Sequence, residues 1–148
     1  MSGAQDTGLH LLAQDAGDLE LISAALQDAV CLRRDILLEA KGRRLTFAFN
    51  RLRREAGRER ERVRSGLQLG GVLGVRSRGL TRDRRAVLQL LALTFRPEID
   101  GPGGVLGFRF AGGADLEAQV ECVDAVLADL TGGWPARGVP DHGADIDG

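Results

Sequence analysis

Arginine is the residue type in this chain best equipped to act on something outside it. Of the 20 basic residues, 19 are arginine and Lys41 is the single lysine. Eighteen of the basic residues fall between Arg33 and Arg96, where only six acids stand, a net charge of +12; the rest of the chain has two basic residues and 15 acids, a net charge of -13. The overall charge of -1 therefore conceals a strong segregation. Arg51 with Arg53, and Arg76 with Arg78, occur at a spacing of two within strand-like segments, which puts the members of each pair on one face of a sheet. Arg82, Arg84 and Arg85 follow in an adjoining loop. A guanidinium offers parallel donors that match a carboxylate or phosphate, so Arg51, Arg53, Arg76, Arg78, Arg82 and Arg84 form the candidate anion- or partner-binding set. Two plainer uses compete with it: solvated surface charge, and internal pairing with the acidic C-terminal third through Asp115, Glu117 and Glu121.

Other chemistries find less support. The two histidines, His10 and His142, have no second imidazole or cysteine at ligand spacing, so neither a metal nor a cofactor is expected. No Gly-x-Ser-x-Gly elbow occurs, so a serine nucleophile is not signalled. Cys31 and Cys122 lie far apart and read as reduced thiols. Cys122 falls where a strand pattern gives way to a helical one. A helix N-terminus there would lower its pKa, which leaves a small thiol-dependent enzyme as one reading and a small buried hydrophobe as the plainer one. The run Gly70-Gly71-Val72-Leu73-Gly74 lacks the spacing of a phosphate-binding loop and leads into a strand, so it reads as a bend. Nucleic-acid recognition by stacking needs exposed aromatics, yet tyrosine is absent and the phenylalanines fall on core faces; phosphate-backbone contact is the form of that reading left open. The reading favoured is a non-enzymatic module for an acidic protein surface or another anion, its protein partner unspecified.

The elements that carry these residues follow from periodicity. Leu9 to Leu12 is a short edge strand. Asp18 reads as an N-cap, and Leu19, Ile22, Leu26 and Val30 mark a helix over 18–30. Ile36-Leu37-Leu38 and Leu45 to Asn50 form a hairpin through Lys41-Gly42, with Leu45, Phe47 and Phe49 on its core face. The charged run over 51–62 reads as a loop. Beyond it a strand passes Gly70-Gly71, whose bend lets one chain run serve two sheet layers. Val87 to Phe95 is apolar on both faces and predicts a central strand covered on two sides. Leu106, Phe108 and Phe110, the Gly112-Gly113 turn, and Leu116, Ala118 and Val120 predict a half-exposed hairpin. From Cys122 the period turns helical through Val123, Val126, Leu127 and Leu130, with Trp134 as a docking anchor.

The chain is thus expected to hold one α+β domain over 1–134, followed by a disordered acidic tail over 135–148. Its mostly antiparallel sheet is expected to curl into a partial barrel with a C-terminal capping helix, a pleckstrin-homology-like outline. The alternative is a single open antiparallel sheet with two helices on one face. No apolar run approaches the roughly 20 residues that cross a membrane and no export signal is visible, which points to the cytoplasm and to no membrane contact.

Four phrases together carry a family resemblance: Ile22 to Val30 (ISAALQDAV), Asn50-Arg51-Leu52-Arg53, Gly74 to Gly79 (GVRSRG), and Val120-Glu121-Cys122. In this order and spacing the chain resembles the bacterial domain-of-unknown-function 2948 family over roughly Leu9 to Trp134. That family has no established activity, so the resemblance implies no catalytic residues.

Overall fold

A computed structural model describes residues 8–53, 61–130 and 144–145. In chain order the elements are β1 (His10–Ala13), α1 (Ala16–Ala25), β2 (Val30–Leu32), a 3-10 turn (Arg33–Asp35), β3 (Ile36–Glu39), β4 (Arg44–Arg53), β5 (Glu61–Leu69), β6 (Val72–Arg78), β7 (Val87–Pro97), β8 (Gly104–Phe110), β9 (Asp115–Val120), β10 (Ala125–Asp129) and β11 (Ala144–Asp145). Every pairing is antiparallel. The path across the sheet runs β1-β10-β5-β4-β2-β7-β8-β9-β6, with β3 attached to β4 and β11 to β3. The sheet does not close among the described residues.

The bend at Gly70-Gly71 does what its sequence suggests. Gly71 takes a φ of 65°, a left-handed angle open to glycine. Before it β5 pairs with β4 and β10; after it β6 pairs with β9, at the far end of the path. One chain run so serves two parts of the sheet. Between them lies the core, where Phe47 on β4 stacks on Phe108 of β8 with ring centroids 4.5 Å apart and on Phe49 at 5.4 Å. The expected inward faces, Leu45/Phe47/Phe49, Leu106/Phe108/Phe110 and Leu116/Ala118/Val120, are all buried. Burying each of the larger side chains contributes roughly 1.5 to 3 kcal/mol.

Four expectations need correction. The helix begins earlier and ends sooner: Asp15 is the N-cap, accepting the Asp18 N–H at 2.8 Å, while Asp18 accepts the Gln14 N–H at 3.0 Å. The chain turns at Asp28, φ 67°, and Val30 enters β2 between Asn50 and Gln89. Leu26 and Ala29 are fully buried after the helix stops, so the apolar stripe outlasts the helix that it suggested.

The helix expected after Cys122 is instead β10. Val123, Ala125 and Leu127 are buried at a period of two, and β10 is hydrogen-bonded between β1 and β5. A run as short as Val123 to Leu130 satisfies either period, and two waiting strand edges decide the matter. The C-terminal capping helix and the pleckstrin-like outline are therefore absent from the described residues, which hold one α-helix.

β7 lies inside the path, between β2 and β8, but it is covered on one face only, since Val87 and Leu91 are exposed. A bulge between Leu90 and Ala92 shifts the alternation, so Leu88 and Leu90 point inward before it and Leu93 after it. That shift produces the apparent two-faced apolar run.

The charged segment 51–62 is strand at both its ends, as β4 and β5 stay paired up to Arg53 opposite Glu61; residues 54–60 lie outside the described residues. Within the tail, Ala144 and Asp145 pair with Leu38 and Leu37, whereas Trp134 and the remainder of 135–148 lie outside the described residues.

Candidate functional site

On the outer face of β7-β8-β9-β6 the polar members of four alternating strands fall into register. One row across the sheet is Ala92, Arg109, Asp115, Arg78; the next is Thr94, Gly107, Glu117, Arg76. Arg96 lies in the third row, opposite Val105. Inward positions are spent on the core, so these side chains have only solvent and one another.

Glu117 stands between two cations, its Oε1 3.5 Å from Arg76 Nη2 and its Oε2 3.6 Å from Arg96 Nη1. Both separations exceed the 2.7 to 2.9 Å of a tight charge-assisted bond, and the arginine side chains are 79% and 67% exposed, so the guanidinium groups remain accessible. Arg78 and Arg109 form no ion pair among the described residues. A groove of about 360 Å³ lies between Arg76, Arg78, Arg96, Asp115 and Glu117. It adjoins a second, of about 240 Å³, that runs over Thr94, Gly107 and Arg109. Gly107 keeps that floor open, because a Cβ there would come within 2.9 Å of Thr94 Oγ1. Four arginines against two carboxylates leave the face positive.

Of the residues singled out from sequence, Arg76 and Arg78 share this face. Arg96 and Arg109 were missed, although Arg109 stands between inward-pointing Phe108 and Phe110 and so was legible as an outward position. Arg82 and Arg84 are exposed in the loop after β6. That loop is tied to the 3-10 turn by the Arg33 Nε–H bonded to the Thr81 carbonyl at 2.9 Å and the Arg34 N–H bonded to the Arg84 carbonyl at 3.1 Å. It does not continue the strand ladder. The side chain of Arg53 lies outside the described residues.

Arg51 must be withdrawn from the outward set. Its guanidinium grips Asp129 with two bonds, Nη2 to Oδ2 at 2.8 Å and Nε to Oδ1 at 3.0 Å, with the two side chains 4% and 1% exposed. Ser65 Oγ donates to Asp129 Oδ1 at 2.6 Å and the Leu9 N–H donates to Oδ2 at 2.9 Å. Burial alone would push the Asp129 carboxyl up, but the bonds from Arg51, Ser65 and Leu9, together with the Arg51 charge, hold it below the ordinary aspartate value. This cluster fastens β4, β5, β10 and the segment entering β1.

Thiol and metal chemistry gain no geometry. Cys31 is buried, and burial with the nearby Asp35 charge pushes its thiol up to about 12 against the pull of Arg33 and Arg64, so it stays protonated at neutral pH. Cys122 is exposed, but β10 follows it and supplies no helix N-terminus. Among the described residues no cluster of three His, Cys, Asp or Glu could hold a metal ion, and no helix is long and apolar enough to cross a membrane.

Fold and face together define a mostly antiparallel β-domain that presents a mixed-charge, arginine-dominated face. The chain belongs to the family described as protein of unknown function (DUF2948), whose model matches residues 9–142. No curated protein and no solved structure matches it.

Proposed function

We propose that the protein is a non-enzymatic binding module, active in the cytoplasm, that receives an acidic polypeptide on the outer face of β7-β8-β9-β6. The observation that carries this reading is the convergence of Arg76, Arg78, Arg96 and Arg109 on two adjoining grooves of one face, with Glu117 held loosely between two of them. Two points favour polypeptide over nucleic acid. The carboxylates of Asp115 and Glu117 would repel an unbroken run of phosphates, and Phe47, Phe49, Phe108 and Phe110 are buried where no base can stack.

The test compares fluorescein-labelled oligoglutamate with a single-stranded oligonucleotide of equal length by anisotropy at several salt concentrations. Oligoglutamate is expected to bind more tightly, and Arg96→Glu/Arg109→Glu to weaken it at least about tenfold, as 1.4 kcal/mol or more of lost charge complementarity would. Preference for the oligonucleotide, or an unchanged affinity in the double variant, overturns the proposal.

A further inference from the structure

The free edge of β6 specifies the kind of polypeptide that fits. β6 is the last strand of the path, and among the described residues it pairs only with β9. The Val72 N–H is bonded to the Arg43 carbonyl at 2.9 Å; beyond it, among the described residues, the strand leaves one side open to main-chain pairing. Leu73 is 51% exposed there, and a Cβ built at Gly74 would meet nothing within 4 Å.

Charge alternates along the rows that end at this edge. Arg109, Asp115, Arg78 is one; Glu117, Arg76 closes the other. Directly opposed residues on neighbouring strands sit about 4.5 to 5.5 Å apart, and opposite charges at that distance stabilise the pairing while like charges oppose it. A strand laid beside β6 would set its own outward residues against Arg78 and Arg76, so the sequence of charges calls for acids at both positions. The residue between them would point inward beside Ser77, which is in register with the buried Leu116, and that place suits an apolar side chain. A second copy of β6 is the wrong partner, because it would bring arginine against arginine.

We infer that the partner is an extended segment of acid-apolar-acid pattern that adds to β6 as an extra strand, with its two acidic side chains on Arg76 and Arg78. This rests on the preceding reading of the face and names how the partner binds. Main-chain bonds would supply affinity and the two arginines selectivity.

The test uses the full chain and two fluorescein-labelled nine-residue peptides, one alternating glutamate with valine and one alternating lysine with valine. The glutamate peptide is expected to bind and the lysine peptide not to. Arg76→Glu/Arg78→Glu is expected to reverse that preference, each change being at least about tenfold. Hydrogen exchange of the wild-type protein, which needs no variant, is expected to slow in the β6 amides of residues 73–78 that face away from β9 when the glutamate peptide is present. Binding that depends on the arginines but leaves β6 exchange unchanged overturns strand addition and spares the face. Binding indifferent to the double variant overturns both. Self-association of that variant without peptide selectivity would show the arginines to be edge guards only, and overturns both as well.

Discussion

Arg51 on β4 and Arg76 on β6 each meet a carboxylate contributed by another strand, yet 4% of the first side chain is exposed and 79% of the second. The first pair is bidentate at 2.8 and 3.0 Å, with Ser65 and the Leu9 N–H satisfying the remaining acceptor positions of Asp129. The second is a single contact at 3.5 Å, and its carboxylate is shared with Arg96. In the dry pair, desolvation makes either charge costly to leave alone. In the wet pair, water competes for both partners, so neither is committed. Arginine is thus a fastener in one half of the sheet and an available donor in the other, and the surrounding dielectric separates the two uses.

Removing one member of the dry pair should have the largest effect. Arg51→Ala or Asp129→Ala leaves the other charge buried, and a loss of about 3 to 5 kcal/mol in urea unfolding is expected. A loss below about 1 kcal/mol would place the pair in contact with water and erase the contrast. Acid sharpens it next. Since Asp129 titrates below its ordinary value in the fold, its contribution is complete above that value, near 4, and fades as the pH falls through it toward the lower folded one. Asp129→Asn, although weaker throughout, should show a flatter acid limb in a pH series of thermal melts. The wet pair should respond least: Arg76→Ala and Arg96→Ala are each expected to shift stability by no more than about 0.5 kcal/mol while still affecting peptide binding. A large thermal shift in either would mean that the outer face is structural.

Much of the fold was legible locally. Faces such as Leu45/Phe47/Phe49 and Leu106/Phe108/Phe110 obey strict alternation, and the glycine turns at Gly70-Gly71 and Gly112-Gly113 lie where the strands reverse or bend. β10 was not legible, because the few residues of Val123 to Leu127 fit two periods and the choice belongs to β1 and β5, which flank them. The bulge at Leu90 likewise disguised a one-sided strand as a two-sided one. Of the candidate site, Arg76 and Arg78 were visible from their spacing. Arg96 and Arg109 required knowledge of which strands lie side by side.

By itself the sequence determined which residues of each regular strand turn inward, where the chain must bend, and that positive charge gathers in its middle, since all three depend on near neighbours along the chain. Only the tertiary structure decided that Arg51 is sealed against Asp129 while Arg76, Arg78, Arg96 and Arg109 share an open face. Strand order and register join residues far apart in the chain, Arg51 to Asp129 across 78 positions and Leu9 to Asp129 across 120, and the exposure of each guanidinium depends on such distant neighbours.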